Sequence, residues 1–449
     1  MNKTYISNKF IFNISIFSLT ILCIYFSPSL FHTLEFDSPS YIANDPNRLS
    51  FYPFIIDLLG SNNLNFLIIL QIIFMALSTF CLLKVLIDKR FSKYLIFLFF
   101  FLINLNFFYT SFSKTILTES FFFSFINFAT SIILSLEDSK NKKLISLCFG
   151  VCIGCLIILR HEGLVISTIL YVMFFFHTKN KKLLILPLIP VFFLILFENH
   201  QYKHEERKSV IDRSFKGKIF MLSAFLDDDQ IKEFENKEEY LLIIREKSRL
   251  IFNFLNKINN PFLKYSLISD YEGLAQYQLE DILNEDERQT IKSTEFVEKE
   301  LLIKIIKKNP YDFFKLTLSH YLGLWMPGGK QIFLDKIDIQ EVPYLRQLKK
   351  TSGNLKPFNK IITIFGLIYF SIIMVLFFFV SINYFLKIIM KKKKIFIYNL
   401  IILCHAHLIV ISMLNIASTR YLMAIYPVVI LMIFFPVNNL FKKQKIFKK

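Results

Sequence analysis

None of the six cysteines lies in a polar segment. Cys23, Cys81, Cys148, Cys152, Cys155 and Cys404 all fall within hydrophobic runs, so the aqueous parts of the chain carry no disulfide framework. Cys152 and Cys155 have CxxC spacing, but they share their run with Gly150 and Gly154, a GxxxG pair. That combination reads as close helix packing rather than redox or metal chemistry. The first run, Phe10 to Leu30, follows Lys3 and Lys9 without a small-residue cleavage site and is long for a signal-peptide core, which predicts a retained first span. No internal repeat of usable strength is present. Cations are scarce at alternate short connections, which carry little beyond Arg48, Lys114, Arg160 and Arg420.

What abounds is apolar side chain. Hydrophobic residues make up 54% of the chain, with 54 Phe in 449 residues, more apolar surface than a soluble fold hides, so a bilayer is the expected solvent. The formal charge of +18 would suit a nucleic-acid partner, but its placement argues against one. Lys and Arg crowd Lys84 to Lys93, Lys140 to Lys143, Lys179 to Lys182, Lys387 to Lys394 and Lys442 to Lys449. These are alternate connections, the positive-inside pattern, and the charge therefore reports topology.

The expected fold is an all-α polytopic membrane protein of about ten transmembrane helices, with a mostly helical external domain inserted before the last three. The spans are Phe10 to Leu30, Leu64 to Ile87, Tyr94 to Tyr109, Thr115 to Leu136, Leu144 to Leu159, Leu164 to His177, Leu183 to Phe197, Ile361 to Ile389, Ile395 to Ile416 and Tyr421 to Leu440. Residues 1–198 form an amino-terminal membrane module with a first outer loop at 31–63, residues 199–358 the external domain, and 359–449 a second membrane module. Both termini are expected in the cytoplasm and the large segment on the periplasmic or extracellular side of the plasma (inner) membrane. In that segment Glu238 to Phe254 is amphipathic, and Pro310 to Trp325 followed by Met326-Pro327-Gly328-Gly329 reads as an interfacial helix and a turn.

The first outer loop contains Glu35-Phe36-Asp37-Ser38-Pro39-Ser40-Tyr41, then Arg48 and Tyr52-Pro53. Ionisable groups where a span meets water are costly to desolvate and point to chemistry, and Asp37 is the first candidate for a catalytic base. Leu117-Thr118-Glu119 sets an acid at the start of the fourth span, Leu159-Arg160-His161-Glu162-Gly163 a basic residue before the sixth, and Thr419-Arg420-Tyr421 precedes Tyr426-Pro427 in the last. The tight polar turn Thr110-Ser111-Phe112-Ser113-Lys114 is expected on the same face as Asp37.

In the order of these motifs the membrane part of the chain resembles the GT-C superfamily of integral-membrane glycosyltransferases, in the branch of the protein O-mannosyltransferases and the lipid A aminoarabinose transferase. Many relatives carry two adjacent acids where this chain has Asp37-Ser38. The resemblance implies a polyprenyl-phosphate sugar donor entering from the membrane lipids and an acceptor hydroxyl from the external face or another lipid. It also implies Tyr41, Tyr52, Glu162 and Tyr421 on the substrate side. Transfer from a phosphate leaving group needs a base and cations for the developing charge. Asp37 is assigned as the base, and Arg48, Arg160 and Arg420 as phosphate clamps. Glu119 is a second acid that orients a hydroxyl or an arginine.

Plainer roles compete. Asp37 suits a helix N-cap, Glu119 the first turn of a helix, and Arg160 and Arg420 suit snorkelling to headgroups. Asp45 and Asp57 read as surface acids. Asp37 and Glu119 offer oxygens for one divalent cation, Mg or Mn, without a dedicated ligand cluster. His405 and His407, two apart, point to different helix faces, and His161-Glu162 has Val165 where HExxH needs histidine. Asp227-Asp228-Asp229 and Glu285-Asp286-Glu287 read as solvated turns. An O-antigen polymerase or ligase shares the outline and would depend on His320 or Arg346. A secondary transporter would set acids near the midplane with repeat symmetry, whereas here they cluster at span ends.

Overall fold

Every long apolar run of the sequence is helical in the computed structural model, which describes residues 3–35, 37–46, 48–60, 63–136, 138–178, 180–205, 215–293, 297–326, 342–344, 357–389, 395–414 and 418–447. No strand occurs among the described residues. The helices of the amino-terminal part are α1 (Lys3–Phe26), α2 (Ser38–Ile42), α3 (Phe51–Leu59), α4 (Leu64–Asp88), α5 (Lys93–Asn104), α6 (Phe107–Thr110), α7 (Glu119–Ser135), α8 (Lys142–Leu159), α9 (Gly163–His177) and α10 (Leu188–Glu205). There follow α11 (Lys216–Ser223), α12 (Asp228–Lys232), α13 (Glu238–Asn256), α14 (Pro261–Tyr277), α15 (Glu285–Ser293), α16 (Glu298–Lys308) and α17 (Pro310–Gly323). The last three are α18 (Pro357–Ile389), α19 (Ile395–Leu414) and α20 (Thr419–Phe447). The Pro327-Gly328-Gly329 turn and Arg346 lie outside the described residues.

Among the described residues five segments are long and apolar enough to cross a membrane: Leu64–Asp88, Lys142–Leu159, Lys181–Gln201, Lys360–Lys387 and Arg420–Asn439. A sixth is the pair Lys93–Asn104 and Phe107–Lys114, bent by 53°. The bend has a local cause, since the Asn106 side chain accepts from the Tyr109 amide and starts a new helix where the third expected span would run on. The other four expected spans coincide with shorter apolar helices, Phe12–Phe26, Glu119–Ser135, Gly163–His177 and Asn399–Leu414. At about 1.5 Å per residue the shortest, of 15 residues, reaches only about 22 Å of a ~30 Å hydrocarbon core.

The chain packs as two units, one of Met1–Ile211, Val375–His407 and Leu422–Lys449, the other of Asp212–Met374 and Leu408–Tyr421. The second unit thus takes in the start of α18 as well as most of the expected external segment.

In the first unit α20 is an inner helix, with 83% of its span window buried against 17% for the window ending at Gln201. Tyr426 donates to the Leu102 carbonyl at 2.8 Å, and Phe434 and Phe435 meet Phe99 and Phe91 edge-on. The GxxxG pair does what its spacing predicts. A Cβ at Gly150 would stand 2.3 Å from the Pro187 carbonyl oxygen and one at Gly154 2.6 Å from Leu194 Cδ1, so α8 approaches the α10 segment at a distance only glycine permits. His405 binds the Ser381 hydroxyl at 2.9 Å, a bundle contact.

The second unit is built as its sequence period dictates. Tyr240, Leu241, Ile244, Ser248, Ile251 and Leu255 recur at helical spacing along α13 and are buried with Leu267, Tyr271, Leu274, Leu301 and Ile305 of neighbouring helices. The two acidic runs are helix starts rather than loops. Asp227 caps α12 in a reciprocal capping box with Gln230, Asp228 pairs with Arg245 at 2.6 Å, and Glu287 in the first turn of α15 pairs with Lys247 at 2.8 Å.

Candidate functional site

The first loop folds on itself before it meets anything else. Glu35 accepts from the His32 amide at 2.8 Å, Ser38 accepts from the Glu35 amide at 2.8 Å, and Pro39 lies in the first turn of α2. Asp37 occupies the N-cap position of α2 but makes no side-chain cap bond. Its carboxylate instead receives Arg48 Nη2 at 2.6 Å, while Arg48 Nε donates to Ser40 Oγ at 2.8 Å. The chain can return because Asn44, two residues past the end of α2, takes a φ of +54°, which Asn tolerates better than most residues.

A second carboxylate–arginine pair lies deeper. Arg160 closes α8 in an extended conformation and sends Nη1 to Glu119 Oε1 at 2.5 Å and Nε to Glu162 Oε2 at 3.3 Å. The turn that aims it depends on Gly163, where any Cβ would meet the Leu156 carbonyl oxygen at 1.7 Å. Glu119 stands in the first turn of α7, so the helix N-terminus and Arg160 act on the same carboxylate. Exposure separates the pairs. The Asp37 and Arg48 side chains are 25% and 30% exposed, those of Glu119 and Arg160 2% and 11%.

Tyr41 joins them. Its ring lies 4.8 Å from the Arg48 guanidinium carbon, its phenol lies within electrostatic reach of Arg160 and Glu119, and Arg160 donates to Thr118 at 3.4 Å. Burial pushes the Tyr41 phenol up, against the lowering influence of Arg160 and Arg48. Tyr52 packs edge-on against Tyr41 at 5.3 Å, is raised further by its own burial, and donates to Gln71 Oε1 at 2.7 Å. The structure therefore brings Asp37, Tyr41, Arg48, Tyr52, Glu119, Arg160 and Glu162 into one connected network in the first unit. Arg420 and Tyr421 belong to the second unit, where the Arg420 guanidinium lies 5.2 Å from the Tyr421 ring.

Two supports of this site escape sequence reasoning. Glu198 is buried near the end of the seventh apolar run and grips the start of α3, taking the Ser50 amide at 2.7 Å and the Ser50 hydroxyl at 2.6 Å. A lone acid closing an apolar run was its signal. Gln71 accepts from Tyr52 and gives its amide protons to the Ser113 and Thr115 carbonyls at 3.2 and 2.8 Å. The 110–114 turn adjoins the first loop as expected: Ser111 Oγ accepts from the Leu30 amide at 2.8 Å, and Lys114 Nζ donates to the Ser27 carbonyl.

A divalent cation does not fit these residues as they stand. Asp37 and Glu119 are each engaged by a guanidinium, and the described residues contain no cluster of three or more His, Cys, Asp or Glu arranged for a metal. What the arrangement offers is a solvent-reachable carboxylate, two arginines that carry replaceable anions, and a buried acid that fixes one of those arginines. No protein-family model matches the chain, and neither curated proteins nor solved structures include a significant match.

Proposed function

We propose that this protein is a membrane glycosyltransferase that moves a sugar from a polyprenyl-phosphate donor to an envelope lipid, polysaccharide or protein on the outer face of the plasma membrane. The observation that carries the reading is Tyr41, which bridges the half-open Asp37–Arg48 pair to the buried Glu119–Arg160 pair. A base and two anion-binding cations are thereby held in one network. Ten spans, both termini in the cytoplasm and residues 199–358 outside belong to the same proposal.

In the proposed step the donor phosphate competes for Arg48, whose hold on Asp37 is then given up to the stronger anion. Asp37 takes the proton of the acceptor hydroxyl, the acceptor oxygen bonds to the anomeric carbon, and the bond from that carbon to the phosphate oxygen breaks. The lipid phosphate leaves with the bonding pair, its charge met by Arg48 and Arg160. Glu119 keeps Arg160 in place, and Tyr41, Tyr52 and Glu162 line the substrate.

The test is a transfer assay in native membranes with radiolabelled polyprenyl-phosphate sugars, comparing the unaltered chain with Asp37→Asn. Label should reach lipid or polysaccharide with the unaltered chain and fall at least ~100-fold with the variant, within the range typical of general-base catalysis. Full turnover by Asp37→Asn would sink the base assignment. The polymerase or ligase alternative leans on His320, which is wholly buried against Glu272 and Lys218, a poor position from which to meet a substrate.

A further inference from the structure

In the second unit α17 carries apolar side chains on its exposed face as well as on its buried one. Leu316 and His320 point into the core, and Tyr321 and Gly323 are buried with them. On the opposite side Tyr311, Phe314 and Leu318 recur at helical spacing and are 67%, 62% and 47% exposed. Lys315 lies among them, its Nζ 4.4 Å above the Tyr311 ring and 3.9 Å from Asp312. An aromatic and leucine face carrying one long cation is the composition of a helix that rests in a headgroup layer.

The same unit shows which surface such a helix would meet. Met326, just beyond the end of α17, packs against Leu367 of α18, with Phe262 and Tyr265 of α14 closing the contact. Leu367 is seven residues into the membrane-spanning stretch that begins at Lys360, which puts the contact about 10 Å below the start of that stretch. Around it Ile364, Phe365 and Ile368 are exposed, as lipid-facing side chains are. The end of α17 is thus moored at the depth of the acyl chains. Leu318 and Phe314 precede Gly323 by about 8 and 13 Å of helix, so even an upright α17 carries them through the headgroup layer, and any tilt brings Tyr311 in as well.

The geometry points to the Tyr311–Phe314–Leu318 face of α17 as a docking surface for the phospholipid leaflet at which α18 enters the membrane, with Lys315 on the lipid phosphates. The contact of Met326 with Leu367 ties the end of this helix to a segment apolar enough to span a bilayer, and this distinguishes the leaflet from a soluble partner. It anchors the second unit to the bilayer independently of any reaction the first unit performs.

Full-length protein with Cys148→Ser, which removes the exposed native thiol, is placed in phosphatidylcholine–phosphatidylglycerol nanodiscs with a single nitroxide at Phe314→Cys or Leu318→Cys. The control is Tyr277→Cys, 70% exposed at the opposite end of α14 from the Phe262 contact. Accessibility to oxygen relative to a water-soluble nickel chelate should be at least about fivefold higher at 314 and 318 than at 277. An equal ratio at all three sites would place the face in water and overturn the assignment. Low accessibility to both reagents at 314 and 318 would also overturn it, because the face would then be covered by protein, as in a contact with a second copy.

Discussion

Arg160 places Nη1 2.5 Å from a Glu119 carboxylate that is 2% exposed, while its Nε reaches Glu162 on the other side at 3.3 Å. One guanidinium therefore faces two carboxylates in a site largely shut off from water. Removing one member of such a cluster strands the charge of the others, which costs far more than the net value of the intact pair.

Arg160→Met should accordingly destabilise the protein by about 3–5 kcal/mol, because both carboxylates lose their partner. Glu119→Gln should cost less, since Glu162 still faces the guanidinium. The double variant Glu119→Leu with Arg160→Met should recover much of the stability without recovering transfer. Thermal unfolding in detergent of the three variants gives the order, and a double variant no better than Arg160→Met would refute the stranded-charge argument.

Glu198 acts at a distance from the chemistry by holding the start of α3, the helix that presents Tyr52 to Tyr41. Its two bonds to Ser50 are charge-assisted and buried, a class worth about 1.5–3 kcal/mol each when broken. Glu198→Gln keeps one acceptor and should lose roughly half of that, whereas Glu198→Leu should lose all of it. Increased proteolytic cleavage in the 43–50 stretch of the first loop, absent from the unaltered protein, would report the freed helix start.

Gly150 and Gly154 differ in what an added methyl would strike. At Gly150 the nearest atoms are the Pro187 carbonyl oxygen, Cα and carbonyl carbon, all main chain, at 2.3, 2.6 and 2.8 Å. At Gly154 the closest is the tip of Leu194, which can rotate away, with Val191 Cα next at 3.3 Å. Gly150→Ala should therefore lower stability by ~2–3 kcal/mol and Gly154→Ala by ~1 kcal/mol or less, the range of overpacked sites. Equal melting points for the two variants in detergent would contradict the packing described for α8.

Much of this was legible in the sequence because it rests on local pattern. The apolar runs became helices, α13 was readable from its period, and the scarcity of cations at alternate connections singled out Arg48 and Arg160. What local pattern does not carry is pairing at long separation. That Glu119 meets Arg160, that Glu198 meets Ser50 from 148 residues away, and that Tyr41 lies between two arginines are consequences of packing. The break at Asn106 was missed for a different reason. A single capping side chain outweighed an apolar run that would otherwise have continued as helix.

His320 and Glu272 make the second unit acid-sensitive in a calculable direction. His320 Nε2 lies 2.6 Å from Glu272 Oε2, and Lys218 Nζ reaches the same oxygen at 3.1 Å and the Ser412 carbonyl at 3.1 Å. Burial first, and then Lys218, hold His320 below its ordinary value of 6.5, so the folded state resists the proton that the unfolded chain accepts. The stability tied to neutral His320 is complete above pH 6.5 and is lost as pH falls from there toward the lowered folded value. Glu272 is held below its ordinary 4.5 by Lys218 and His320, which outweigh its burial, so its contribution is present above 4.5 and lost on further acidification. The two losses have the same sign and follow each other. Trp325, the one tryptophan of the chain, is buried in this unit, so its fluorescence follows the unfolding of this part alone. Its melting point should fall between pH 7.5 and 5.5, and His320→Gln should remove most of that fall while leaving the loss below pH 4.5 in place. An unchanged pH profile in His320→Gln would assign the acid sensitivity to other groups.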